Sequence, residues 1–398
     1  MDWSAKITGS ICLRNNLAAN PRKVAAMESI DDAAAEIWGS GGRLTVDLGA
    51  LARNWRTLAD RAADAETAAA VKGDAYGIGL EQAVPALAKA GCRCFFVALP
   101  QEGIRLKALL PSATVYVLNG LLPGEAARLA AAGLRPVLGS MAEIDEWAAY
   151  RAAGGDGRAA LHVDTGMNRL GVTLDEAAAL ADRTEALGLS LVMSHLACAD
   201  QPEHPLNAAQ LGAFATAARL FPSLPASLAN SAGLHLSPDY SFDLVRPGIA
   251  LYGGRFGTDF PALEPVVCVE ARIVQIRSVA AGETVGYGAT QHVKRPSRIA
   301  ILSAGYADGY HRMAGSSDGA PGASAFLHGR HAPLVGRISM DLMAIDVTDI
   351  PEARRGDHAE LFGPNIPVDQ VAASAGTIGY ELLTSLGKRY RRHYVGGA

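Results

Sequence analysis

Between Leu44 and Gly253 short apolar runs alternate with alanine-rich stretches, and this alternation constrains the fold more than any other feature of the chain. The runs cover 68–72, 94–99, 114–119, 135–139, 159–164, 191–195, 227–230 and 244–252. Between them lie stretches such as 81–90, 124–132, 142–153, 174–187 and 208–220, where strong helix formers dominate. Regular strand–helix alternation implies a parallel sheet, because parallel neighbours need a crossover connection. About eight such units in about 200 residues fit a closed (β/α)8 TIM-like barrel. After Gly253 the texture changes. Runs at 266–279, 298–303, 325–328, 332–335 and 342–347 are β-rich and separated by glycine, proline and aspartate, which predicts a second, mostly β domain. The expected division is an N-terminal arm at 1–42, a barrel at 43–255 and a β domain at 256–398. In the arm, 27–38 reads as helix, and the polar residues before it read as a disordered segment.

Composition excludes several classes. With about half its 398 residues apolar and 19% charged, the chain has ample material for a core. A net charge of −4 offers no electrostatic footprint for nucleic acid or an anionic membrane. No apolar run has membrane-spanning length, and Ile11-Cys12-Leu13 is too short for a signal-peptide core. Cys12, Cys92, Cys94, Cys198 and Cys268 show no zinc-type pairing. They are expected as reduced thiols of a cytoplasmic protein without a metal site. Cys92 and Cys94 are expected to point the same way along one strand.

A barrel of this type gathers its chemistry at the carboxyl ends of its strands. Lys72 follows the first run, Asp164 to Gly171 the fifth, and His195 ends the sixth. Asn230 and Ser231 follow the seventh, and Arg246, Gly248 and Ile249 lie in the last. Taken singly each has a plain structural reading: a solvated lysine, a core histidine, a helix cap, an Arg169–Asp164 pair. Together at one mouth they suit an aldehyde cofactor bearing a phosphate. A desolvated lysine forms a Schiff base, and backbone amides near Gly248 cradle a phosphate. No dinucleotide or Walker-type loop is present.

The segments Val71-Lys72-Gly73-Asp74-Ala75-Tyr76-Gly77, Asp164-Thr165-Gly166-Met167-Asn168-Arg169-Leu170-Gly171, Arg246-Pro247-Gly248-Ile249-Ala250-Leu251-Tyr252-Gly253 and Gly305-Tyr306-Ala307-Asp308-Gly309-Tyr310 closely resemble those of bacterial alanine racemases. Tyr287-Gly288-Ala289-Thr290 and Gly336-Arg337-Ile338-Ser339-Met340-Asp341 match as well, in the same order. The resemblance runs from about Arg43 to about Tyr394. It implies a pyridoxal 5'-phosphate enzyme that interconverts L-alanine and D-alanine by a two-base mechanism, working as a head-to-tail homodimer and supplying D-alanine for peptidoglycan. A broader-specificity or catabolic racemase is the alternative. By the same resemblance, Lys72 carries the cofactor and is one base, and Tyr287 of the partner subunit is the other. Tyr76, Ser231, Gly248, Ile249 and Tyr306 contact or approach the phosphate, and His195 stacks near the ring. Arg169 holds the phenolic-oxygen side and the substrate carboxylate, Met340 of the partner subunit offers its amide to that carboxylate, and Arg246 faces the pyridine nitrogen.

Physical chemistry supports those roles. Racemisation removes a proton from one face and returns it to the other, so two groups are needed. Tyrosine, with a reference pKa of about 10, needs cationic neighbours to serve as a base. A barrel-type decarboxylase would place a carboxylate at the ring nitrogen, which Arg246 argues against. A non-catalytic cofactor-binding barrel would lack the β domain. Three departures from relatives stand out. His162 occupies a position where many have a carbamylated lysine, so a bound anion is expected to help position Arg169. Gly73 and Ile78 replace an alanine and a histidine. Lys388 falls near the place of a phosphate-contacting tyrosine.

Overall fold

The computed structural model describes residues 41–62, 64–256 and 263–397. The expected arm up to residue 40, with its 27–38 helix and Cys12, lies outside the described residues. Strands Ala69–Ala70, Cys94–Val97, Thr114–Val117, Arg135–Leu138, Ala159–His162, Leu189–Met193 and Ala226–Ser227 form a seven-stranded parallel sheet in chain order. All four residues of Cys94–Val97 and of Ala159–His162 are buried, as strands sandwiched between a barrel interior and outer helices must be. The eighth run joins the two edges. Leu244–Val245 pairs in parallel with Glu66–Thr67, and the Ala68 and Ala70 amides donate to Val245 and Pro247 carbonyls at 3.0 and 2.9 Å. On its other side Arg246 N donates to Ala229 O at 2.9 Å. The expected barrel is therefore present.

Local departures have local causes. The expected strand at 244–252 is strand only over Leu244–Val245 and becomes a 3-10 turn at Ile249–Tyr252. Pro247 removes a ladder donor, and Gly248 takes φ −125°, ψ −92°, which turns the chain inward. The helix expected at 174–187 is α-helical only over Leu174–Leu180, then tightens to 3-10 at Ala181–Arg183. Cys94 starts its strand, but Cys92 lies ahead of it, so the two do not share a strand. Helix Pro100–Leu109 is legible only in the structure. Its Gly103 blurs the helical pattern, yet any Cβ there would come within 2.7 Å of Leu134 Cδ2.

The β-rich part takes strands from both ends of the described chain. Gly42–Asp47 lies between Val267–Val279, antiparallel, and Arg391–Val395, parallel. Val267–Val279 also pairs with His358–Phe362 and, through its second half, with Ser297–Leu302, which in turn pairs with Met343–Asp346. Asp47 then caps helix Leu48–Arg61 by accepting from Ala50 N, so the chain passes directly from this sheet into the barrel's outer layer. Helix Gly379–Thr384 packs against the barrel mouth. A Cβ on Gly77 would stand 2.1 Å from Leu383 O. Among the described residues no helix is long and apolar enough to cross a membrane.

Candidate active site

The first barrel strand, Ala69–Ala70, is followed by Val71, whose amide donates to Phe96 O at 2.9 Å. Beyond Lys72 the backbone is left-handed. Gly73, Asp74, Ala75, Tyr76 and Gly77 all have positive φ, between 53° and 83°. With Ala75 N on Val71 O and Gly77 N on Gly73 O, they form one turn of left-handed helix. Left-handed backbone costs roughly 1–2 kcal/mol per non-glycine residue, so neighbours must hold it in place. Glu102 accepts from Gly73 N at 2.6 Å, Asp74 Oδ1 accepts from Leu80 N and Arg105, and Arg392 and Tyr394 donate to the Gly77 and Ile78 carbonyls. The turn sets Lys72 and Tyr76 in the wall of one cavity.

That cavity is about 110 Å³ and opens to solvent at its mouth. Ala70, Lys72, Tyr76, Phe96, Leu118, His195, Asn230, Ser231, Arg246, Gly248, Ile249 and Tyr380 line it. Lys72 is reached by solvent through the mouth, yet the surrounding wall desolvates it. That burial, with the nearby Arg169 charge, lowers its amine's pKa, and Glu102 opposes the shift. Tyr76 stacks on Tyr252, with ring centroids 4.6 Å apart, and Tyr252 Oη donates to Ala70 O. Burial pushes the Tyr76 phenol up, so it remains a hydrogen-bond donor at neutral pH.

Arg246 is almost fully buried. Its guanidinium donates to the Ser227 hydroxyl and to the Ser194 and Leu228 carbonyls, the latter two at 2.6 and 3.2 Å, and lies 5.8 Å above the Phe96 ring. Burial draws its pKa down to about 9, which leaves it charged at neutral pH. His195 is held well below its usual range by burial and by Arg246, Arg169 and Lys72, so its ring is neutral. On the opposite wall Ser231 Oγ accepts from Gly248 N at 2.8 Å and Ala250 N at 3.3 Å. A Cβ on Gly248 would lie 2.3 Å from Tyr76 Oη, so only glycine leaves this wall open to both a hydroxyl and backbone amides.

Arg169 is on the 164–171 loop, which Asp164 organises by accepting from the amides of Gly166, Met167 and Asn168. Asp164 is thus spent on backbone, and among the described residues Arg169 makes no ion pair. Arg169 is exposed in the single chain, so water can serve it. His162 is buried and neutral, pulled down to about 4 by burial, Arg246 and Arg169 against an opposing Asp164.

The structure thus brings Lys72, Tyr76, His195, Ser231, Arg246, Gly248 and Ile249 to one cavity, with Arg169 close enough to act on Lys72 and His195. Tyr287, Met340 and Tyr306 are not among its lining residues. They are 71%, 53% and 41% exposed on the β-rich part, and Tyr287 borders an open apolar trough with Ile301, Val335 and Leu342. Lys388 is exposed and does not line the cavity. Tyr380 does line it, with its ring 6.0 Å from Tyr76. Strand-end reasoning missed Tyr380 because it arrives from a C-terminal helix, and missed Glu102 because it lies inside an unread helix. Among the described residues no cluster of His, Cys, Asp or Glu could hold a metal ion.

Two family models match: "Alanine racemase, N-terminal domain" over residues 46–256 and "Alanine racemase, C-terminal domain" over 266–394. The chain is 50% identical to an alanine racemase of Rhizobium meliloti, over 91% of this chain and 99% of that protein. It is also 50% identical to the biosynthetic alanine racemase of Agrobacterium fabrum, over 89% of this chain and 93% of that one. The crystal structure of alanine racemase from Bartonella henselae with covalently bound pyridoxal phosphate aligns at TM-score 0.84 and 40% identity, covering 89% of this chain and 100% of that one. With a lysine at the barrel mouth, a buried arginine behind it and relatives of this identity along nearly the whole described length, the chain belongs to the alanine racemase family.

Proposed function

We propose that this chain is a pyridoxal-phosphate-dependent racemase that interconverts L-alanine and D-alanine in the cytoplasm, as a head-to-tail homodimer with shared sites. One observation carries the reading: a desolvated lysine shares a cavity with a buried arginine that makes no ion pair among the described residues. The residues fit the cofactor. Lys72 Nζ supplies the amine for covalent attachment. Ser231, the amides around Gly248 and Ile249, and the phenols of Tyr76 and Tyr380 suit a phosphate. His195 offers a neutral ring face, and Arg246 offers N–H donors at the cavity floor.

When bound, the cofactor delocalises the charge left at the substrate's α-carbon as its proton departs. Arg246, a lasting cation, would offer an N–H donor to the cofactor's ring nitrogen and disfavour its protonation, which would limit that delocalisation and favour prompt reprotonation. Lys72, its amine freed by burial, holds or returns a proton on one face. On the other face the proton is moved by the phenolic oxygen of Tyr287 of the partner subunit. Arg169 and the backbone amide of Met340 of the partner subunit hold the substrate carboxylate. The exposure of Met340 and Tyr306, and of Tyr287 beside an apolar trough, supports a covering second copy, because two-fold pairing would bring the 256–398 segment of each subunit to the other's mouth. The kinship to a biosynthetic racemase favours supply of D-alanine for peptidoglycan over catabolism.

The test is racemisation followed over a panel of L-amino acids, with cofactor absorbance recorded alongside. L-Alanine should be turned over fastest by a yellow protein. A colourless protein, or one that prefers another amino acid, would overturn the proposal.

A further inference from the structure

We propose that Glu102 is a positioning residue for Lys72, holding the left-handed turn that succeeds the lysine by sharing one carboxylate between two elements. The inference rests on the reading of Lys72 as the reactive amine. Glu102 Oε1 accepts from Gly73 N at 2.6 Å and Asp74 N at 3.4 Å. Its Oε2 accepts from Ala98 N at 2.9 Å and Leu99 N at 3.1 Å, at the entry to helix Pro100–Leu109. Both oxygens are therefore engaged by backbone donors, one pair local in sequence and one pair from the residues directly after Lys72.

The local pair is ordinary helix capping. The distant pair is not. A turn with positive φ at Asp74, Ala75 and Tyr76 does not form on its own propensity, and the Gly73 and Asp74 amides donate in none of its own backbone hydrogen bonds. Acceptors at 73 and 74 tie the start of the turn, as Arg392 and Tyr394 tie its end at Gly77 and Ile78. Lys72 immediately precedes the first tied amide, so its Cα is fixed by Val71, which bonds to the neighbouring strand, and by Gly73, which bonds to Glu102. The carboxylate charge also opposes, at Lys72, the combined effect of burial and Arg169. A glutamine cannot replace it. Its oxygen can serve one pair of amides, but its NH2 then faces the other pair donor to donor.

The experiment uses the full chain as purified, with hydrogen exchange read by mass spectrometry on peptides spanning 71–79 and 96–103, and steady-state racemisation beside it. Glu102→Gln should speed exchange in the 71–79 peptide by about tenfold. It should lower kcat by about tenfold or more with KM within about twofold. Should that variant fail to fold, Glu102→Asp serves. Its shorter carboxylate still reaches its own helix entry but not the turn, so exchange should rise in 71–79 while 96–103 stays near wild type. Faster exchange confined to 96–103, with kcat unchanged, would make Glu102 a helix cap only and overturn the proposal. Loosening of 71–79 with an unchanged kcat would overturn it too. If wild-type protein shows no racemisation, the parent reading fails, while the exchange data still report whether Glu102 holds the turn.

Discussion

Arg246 Nη2 lies 3.4 Å from His195 Nδ1, and among the described residues neither side chain forms an ion pair. A buried cation is normally matched by a carboxylate. Here it is satisfied by neutral acceptors, the Ser227 hydroxyl and the Ser194 and Leu228 carbonyls. Its charge is thus left to act on whatever occupies the cavity, and together with burial, the larger cause, it keeps the adjacent imidazole neutral.

Reversing that charge should alter the chemistry as well as slow it. Arg246→Glu is expected to reduce racemisation by at least about tenfold. It should also raise transamination, read as 2-oxo acid accumulating with turnover. A product ratio equal to wild type would show that Arg246 does not set the reaction's course.

The depressed histidines His162, His195, His235 and His358 predict how stability varies with pH. His162 falls from 6.5 unfolded to about 4 folded, chiefly through burial. Between those values the unfolded chain binds the extra proton. Stability is therefore complete above about 6.5 and is lost as pH falls toward 4. This contribution is about 3 kcal/mol in order of magnitude, and His195 adds to it in the same direction. Urea unfolding across this window should show the loss, and His162→Asn should make it smaller. An equal slope in the variant would assign the acid sensitivity elsewhere.

Gly77 is where the turn and the C-terminal helix meet. Gly77→Ala places a Cβ 2.1 Å from Leu383 O and imposes φ +83° on a side-chain-bearing residue. A loss of roughly 2–4 kcal/mol in unfolding free energy is expected. Cofactor affinity should weaken with it, because Tyr380 moves with its helix. A variant as stable as wild type would mean that the helix yields freely.

The barrel could be read from the chain because βα alternation is periodic and several strand ends are marked by a polar residue, as at Lys72 and His195. The β-rich part was only half legible. Gly42–Asp47 and Arg391–Val395 enter its sheet from opposite ends of the described chain, and no local pattern announces a pairing of such separation. Tyr380 and Glu102 escaped for a related reason. Each reaches the site from a helix, whereas strand-end logic searches only the barrel loops. Tyr287 and Met340 were found by resemblance alone, and within one chain they stand outside the cavity they are proposed to complete.

The most direct measurement is complementation between Lys72→Ala and Tyr287→Phe, each nearly inactive by itself. In a mixed dimer with shared sites, one site carries both lesions and the other carries neither. After subunit exchange, about half the dimers are mixed, so roughly a quarter of wild-type alanine racemisation should return. If mixing restores nothing, Lys72 of one subunit and Tyr287 of the other do not form one site, and the account of a shared two-base centre is wrong.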